Sequence, residues 1–357
     1  MTYVHDQQRL ARPLPAGLHP QRSASSVNDA QVLAELPRET REAGTTPTGR
    51  ASDLALALAS HITPAALVAS QRFASLDVSL TDEDRAFWCF MRPRERPSFT
   101  RELLVDLSQM QRLIGDLFAA MPQNGPTPFD YFILGSRSDG VFNLGGDLTL
   151  FAEKIRRGER EELRRYAHAC VTSGYANHTG YDQGVITIAL IQGDALGGGL
   201  EAALSCDMLI AERHAKFGLP EIVFNLFPGM GAYTYLSRRI GMMKAEELIM
   251  SGRIYTAEEM LALGAIDMVV DSGTGERAVR EHIARNRSRQ LAQSAIYKVR
   301  RRVAPVALDE LRDITDLWVE TAMKLSEQDL GKMCRIAAAQ DRFRARQAAE
   351  RRAATGD

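Results

Sequence analysis

The chain has 357 residues, 45% of them hydrophobic and 25% charged, enough to bury a sizeable core in one large domain or two small ones. A formal net charge of -1 and a pI near 6.7 give no field favouring nucleic acid or an anionic membrane, so neither is expected as a partner. No charged start followed by an apolar stretch opens the sequence, and no segment reaches the ~18 apolar residues of a membrane span, which predicts a cytoplasmic protein.

Four cysteines, Cys89, Cys170, Cys206 and Cys334, lie far apart without zinc or CxxC spacing, and read as buried free thiols. Residues 1–50 are rich in Pro, Ser, Thr, Gly, Gln and Arg and predict a disordered arm. An N-terminal extension follows over 51–97, with a short helix or strand at Leu54 to Leu67. Within it, Ser79 to Met91 carries Phe87, Trp88 and Phe90 as a strand or a helix start. From Ser98 to Met121, Leu103, Leu104, Leu107, Met110, Leu113, Ile114 and Leu117 recur at helical spacing behind a Ser98 or Thr100 cap. FDYFILG then reads as a strand ending near Gly135.

Two strand–glycine–helix junctions follow. In the first, Val141 to Leu144 meets Gly145 and Gly146, with Asp147 leading a helix. In the second, the apolar run Val185 to Ile191 precedes Leu196, the triplet Gly197, Gly198 and Gly199, and a helix from Leu200 that carries Glu201. Glycine permits close backbone approach, and a helix start presents unpaired N–H groups, so two such loops can hold an oxygen that becomes negative during reaction. A second acid, Glu221, stands twenty residues after Glu201, behind Pro220 and among Phe217, Phe224 and Phe227. The helix start favours a charged Glu201, whereas the apolar setting raises the pKa of Glu221.

Between the junctions, Thr149 to Thr179 is helical and heavily charged, either as a solvated face or as a receiver for a phosphate-bearing carrier. His168, His178 and His214 have no carboxylate at ligand spacing and read as surface or core residues, so no metal site is expected. Beyond Tyr233, Tyr235 to Ile240, Lys244 to Ser251 and Thr256 to Leu263 read as helices ended by Gly241, Gly252 and Gly264. A brief strand, AIDMVVD, precedes three helical stretches: Glu276 to Arg289, Leu291 to Val303, and Pro305 to Arg352. Trp318, Met323 and Leu325 form an apolar stripe on the last, whose Arg-rich end reads as solvated.

FNLGGDL paired with IQGDALGGGLEAALSCDM, then KFGLPEIVFNLFPGMGA and SGRIYTAEEMLALGAIDMVV, resembles the crotonase (enoyl-CoA hydratase/isomerase) superfamily. More narrowly, VFNLGGDL, ALGGGLEAALSC, GLPEIVFNLFPGMGAY and ITDLWVETAMKL resemble the diffusible signal factor synthases, which make cis-2-unsaturated fatty acid signals for bacterial quorum sensing. The resemblance implies an α/β fold: a crotonase-like spiral of ββα turns over 98–290, a C-terminal helical region over 291–357, and homotrimers, sometimes paired as hexamers. It implies an oxyanion hole from the N–H groups of Gly146 and Gly198, with Glu201 and Glu221 as the catalytic acids. It further implies binding by Gly145, Leu196 and Gly197, with Met230 and Trp318 along an acyl-chain tunnel.

The chemistry implied is a lyase reaction on a 3-hydroxyacyl thioester. Glu221 takes the α-proton and Glu201 protonates the departing hydroxyl, after which the thioester is hydrolysed. The substrate arrives on acyl carrier protein or as an acyl-CoA, with no cofactor beyond that carrier. Asn143 and Leu144 stand where many coenzyme A-using relatives have small residues, a bulkier loop suited to the carrier protein. Two other readings stand beside this one: an enoyl-CoA hydratase of fatty acid metabolism, and a regulatory protein on the same scaffold that docks a sensor kinase.

Overall fold

The computed structural model describes residues 63–122 and 125–355, with side chains to residue 342. The expected disordered arm, the stretch from Leu54 to Ile62 and the arginines beyond Arg342 lie outside these descriptions.

Helix α1 (Pro64–Ser70) leads into an antiparallel hairpin, β1 (Leu76–Thr81) and β2 (Ala86–Met91). The aromatic run at Phe87 to Phe90 is therefore strand, and all of β2 is buried. Helix α2 (Arg101–Ala120) starts where the Thr100 hydroxyl accepts the Leu103 N–H at 3.2 Å, and its 3.6-residue stripe from Leu103 to Leu117 is buried. After it come β3 (Tyr131–Ser136), β4 (Val141–Asn143), α3 (Leu148–Arg156) and α4 (Arg160–Thr179). The single helical stretch expected over Thr149 to Thr179 is thus two helices. Gly158, with φ of +68°, turns the chain between them.

The spiral continues with β5 (Ile186–Ile191), β6 (Asp194–Leu196), α5 (Gly198–Leu204), β7 (Met208–Glu212) and β8 (Lys216–Gly218), then a 3-10 turn over Pro220–Phe224. Next are α6 (Ala232–Ile240), α7 (Met242–Ser251), β9 (Ile254–Thr256), α8 (Ala257–Leu263) and β10 (Met268–Val270). Gly241, Gly252 and Gly264 all take positive φ at the helix ends where they were expected. Helices α9 (Gly275–Asn286), α10 (Gln290–Val303), α11 (Leu308–Ala322) and α12 (Glu327–Thr355) complete the chain, the last expected stretch being split by a turn at Met323 to Ser326.

The strands form two sheets, ordered β1-β2-β3-β5-β7-β10 and β4-β6-β8-β9. From β3 to β8 the chain repeats one path, a strand in the large sheet, a short strand in the small sheet, then helix. The large sheet is covered on both faces, which is why its parallel strands read as unbroken apolar runs. Phe132, Leu134, Ala189, Ile191 and Leu209 face the main core, while Ile133, Ile188, Leu190 and Ile210 face Val279 and Ile283 of α9. Each such large side chain contributes ~1.5 to 3 kcal/mol of burial.

Candidate active site

Three short parallel strands position the site. β4 pairs with β6, Val141 opposite Asp194, and β6 pairs with β8, Leu196 opposite Gly218. All three run the same way, so the segments leaving them emerge side by side at one edge. These segments carry Gly146, then Gly197 to Glu201, then Glu221.

The first two loops are fitted closely. A Cβ on Gly145 would lie 2.7 Å from the Gly198 nitrogen, and one on Gly199 only 1.9 Å from the Asn143 carbonyl oxygen, so side chains there would force the loops apart. Gly145 also takes φ of +89°. The Asn143 side chain turns inward, its Oδ1 accepting the Gly145 N–H at 2.7 Å, and the residue is 1% exposed. The expected bulk of this loop therefore rests on Leu144 alone, which faces the cleft. On the other side, Phe99 donates its N–H to the Gly145 carbonyl at 2.8 Å. The Tyr166 hydroxyl accepts the Asp147 N–H at 3.3 Å while donating to the Phe99 carbonyl. Asp147 caps α3 by accepting from Thr149 and Leu150. Among the described residues, the N–H groups of Gly146 and Gly198 donate to no other protein group.

Glu201 sits in the first turn of α5 and is 1% exposed. Its Oε1 accepts the N–H groups of Met230 at 2.7 Å and Ala232 at 2.9 Å, capping the start of α6. Glu221 reaches the same place from the 3-10 turn, and a Cβ on Gly197 would come within 2.6 Å of its Oε1. The residue as a whole is partly exposed, but its Oε2 is buried without a hydrogen-bond partner. Burial pushes Glu201 up to about 7, against the pull of the two N–H donors, so the lowering expected from the helix start is outweighed. Burial, and then the negative charge of Glu201, push Glu221 up to about 8. Of the two carboxyls Glu221 is the better holder of a proton, because the charge of Glu201 adds to its own burial.

The cleft, about 600 Å³ counted to its mouth, has mainly apolar walls: Leu144, Leu148, Phe151, Phe224, Leu226, Met230 and Trp318. Trp318 crosses Phe151 edge to face at 5.1 Å and lies against Gly229, whose carbonyl accepts the Thr315 hydroxyl at 2.9 Å. A second cavity, about 430 Å³, lies on the far side of Glu201 between Met91, Leu107, Phe132 and Leu134, and shares Cys170, Glu201 and Met230 with the cleft.

A sequence profile for the family described as enoyl-CoA hydratase/isomerase matches residues 110–326. The chain belongs to that family. The peroxisomal bifunctional enzyme of Pongo abelii is 39% identical over 144 residues, 40% of this chain and 19% of that protein. The fatty acid oxidation complex subunit alpha of Pseudomonas savastanoi pv. phaseolicola is 37% identical over 139 residues, 39% and 19% of the two chains. The chain thus matches about a fifth of the length of these curated relatives. Among solved structures, an enoyl-CoA hydratase from Bacillus halodurans superposes with a TM-score of 0.59 at 23% identity, covering 73% of this chain and 98% of its own. An enoyl-CoA hydratase from Bacillus anthracis gives 0.56 at 25% identity, covering 71% and 93%. The α/β crotonase fold with its helical C-terminal region is therefore established for this member of the enoyl-CoA hydratase/isomerase family.

The fold brings Glu201, Glu221, Gly146, Gly197, Gly198, Met230 and Trp318 to one cleft. Gly145 and Leu196 instead stand behind its wall, where they set the approach of the two loops. Tyr166 and Gln340 also line the cleft and escaped the sequence reading because they come from helices distant in sequence, and Phe151 escaped it although its helix directly follows the Gly146 loop. The charged stretch from Arg156 to Arg164 pairs partly with the C-terminal helices, Arg156 with Glu327 and Arg164 with Asp316. His168 likewise meets Asp316 at 2.8 Å. Among the described residues, no helix is long and apolar enough to cross a membrane.

Proposed function

We propose that the cleft removes water from a 3-hydroxyacyl thioester, or adds it to the 2-enoyl product, with Glu201 and Glu221 as the proton-transfer pair. One observation carries this reading: two buried carboxyls and two unpartnered N–H groups converge on one apolar cleft. With the thioester oxygen on Gly146 and Gly198, loss of the α-proton gives an enolate held by both donors, each worth ~3 to 4 kcal/mol where such donors have been removed from other enzymes. In dehydration, ionised Glu221 takes the α-proton, and protonated Glu201 gives its proton to the hydroxyl as the C3–O bond breaks. In hydration the roles reverse, with Glu201 accepting a proton from water and Glu221 donating to the α-carbon. The resting pair, charge on Glu201 and proton on Glu221, is poised for hydration. Dehydration starts from the opposite arrangement, with the charge on Glu221 and the proton on Glu201.

The more specific reading is synthesis of a free cis-2-unsaturated fatty acid signal from a 3-hydroxyacyl chain on acyl carrier protein, with the same two donors serving thioester hydrolysis. The likeness of VFNLGGDL, ALGGGLEAALSC and GLPEIVFNLFPGMGAY to the signal synthases supports it, as does the second apolar cavity, which offers a long acyl chain room beyond Glu201. The exposed stripe Ile296, Val299 and Val303 on α10 supports assembly into the expected trimer. Expression in a host lacking such signals, with extracted acids identified by mass spectrometry, is the test. Free cis-2-enoic acid absent from the Glu201→Gln, Glu221→Gln double variant supports signal synthesis. Water addition to crotonyl-CoA alone assigns an enoyl-CoA hydratase. Biological activity retained by the double variant would leave a regulatory scaffold.

A further inference from the structure

We propose that a cavity on another face of the protein, between α4, α6 and α10, binds the oxyanion of a small phosphate monoester. The space is about 430 Å³, and its lining includes Arg238, Arg239, Arg300 and Arg301 with His178 and no carboxylate. Leu204, Ala304 and Val306 give it a small apolar patch, suited to the organic part of such a molecule.

Charge favours an anion here. Arg300 and Arg301 both bond the single carboxylate of Asp207, at 2.7 to 2.8 Å. Arg239 faces Asp267 at 3.3 Å, and Arg238 pairs with Glu310 at 2.8 Å. Four guanidinium groups thus meet three carboxylates, none of which lines the cavity, which leaves an excess of one positive charge. His178 registers this field, since burial and then the charges of Arg301, Arg300, Arg238 and Arg239 hold its imidazole down at about 4. It is neutral at pH 7 and keeps one N–H to donate.

Two buried donors in the same lining have no acceptor. Tyr235 is 4% exposed and its hydroxyl is unpartnered, and Arg301 Nε is buried and unpartnered as well. Buried polar groups are nearly always satisfied, so two orphan donors beside surplus positive charge describe a missing acceptor. Burial also raises the Tyr235 phenol pKa, so the group stays protonated and can only complete its bonding by donating to such an acceptor or accepting from another group. Phosphate suits this set because its several oxygens match the guanidinium fork and leave one for the phenol.

Titration of the full chain with inorganic phosphate and with phenyl phosphate, at constant ionic strength and beside Tyr235→Phe, tests the assignment. Tyr235→Phe keeps every ion pair and removes only an unpartnered hydroxyl, so it should fold at least as stably as the wild type without ligand. The expected result is saturable binding to the wild type, weaker by about tenfold in Tyr235→Phe, with the His178 imidazole pKa rising on saturation as followed by NMR. Equal affinity in the two proteins, non-saturable binding, or a His178 resonance that does not respond overturns the proposal. Saturation by acetate but not by phosphate overturns it too, since the cavity would then accept a carboxylate.

Discussion

The two buried carboxyls make a pH signature that substitution of one of them can isolate. Both are protonated more readily in the folded chain than in the unfolded one, where a glutamate titrates near 4.5. Their contribution to stability is therefore complete below pH 4.5 and is lost as pH rises through about 7 for Glu201 and about 8 for Glu221. For Glu221, a rise from 4.5 to about 8 corresponds to a ceiling of about 5 kcal/mol at full ionisation. Glutamine at position 221 cannot ionise, and the rise of Glu201 comes from its own burial, so Glu221→Gln should escape this share of the loss, pulling away from the wild type as pH rises from about 4.5 to about 8 and holding a constant gap above that. We expect the variant to gain about 2 to 4 kcal/mol over the wild type between pH 5.5 and 9, most of it below pH 8, while its turnover falls by ~10²-fold or more. Urea unfolding at pH 5.5, 7 and 9 measures the gap, and slopes rather than absolute values remove the constant cost of the buried amide. Parallel curves over the whole range would refute the coupled, buried pair.

A methyl group on Gly199 has no room against the Asn143 carbonyl, so Gly199→Ala should cost about 1 to 3 kcal/mol in thermal unfolding and, by moving the Gly198 N–H, ~10²-fold in turnover. Gly174 lines the second cavity, and a Cβ there meets only Ser205, at 3.7 Å. Gly174→Ala should hold or raise the melting temperature, and Gly174→Leu should shift product analysis toward shorter chains; an unchanged profile would place the chain elsewhere. Asp207→Asn leaves Arg300 and Arg301 without their buried counter-charge and should cost about 3 to 5 kcal/mol in urea, part of it regained in phosphate.

How far the chain could be read in advance depended on how local each cause is. The strands at Tyr131 and Ile186 and the glycine junctions were legible because an unbroken apolar run and a glycine state their own geometry. So was the convergence of Gly146, Gly198, Glu201 and Glu221, which the motif pairing implied before any coordinates placed them in one cleft. The three-residue strands β8 and β9 were not legible, since they are made by pairing and carry no period of their own. Glu201 misled for a related reason: its helix start was visible, but the burial that outweighs it is made by residues distant in sequence, such as Phe99 and Cys170. Asn143 looked like bulk at the cleft because sequence gives a side chain's size without its direction. The His168–Asp316 contact spans 148 positions and left no mark that spacing could reveal.

The small sheet acts as a ruler for the chemistry. Its strands lie ~4.8 Å apart, so the lateral spacing of the three segments is set by backbone pairing and not by the helices between them. Insertions in the turn joining α3 and α4 should therefore be absorbed at the periphery, whereas insertions within either helix would displace Phe151 or Tyr166 from the cleft. A one-residue register slip in β6 would be of another order. It would swap the two faces of that strand and carry the triplet glycines and Glu201 out of line with both neighbours at once.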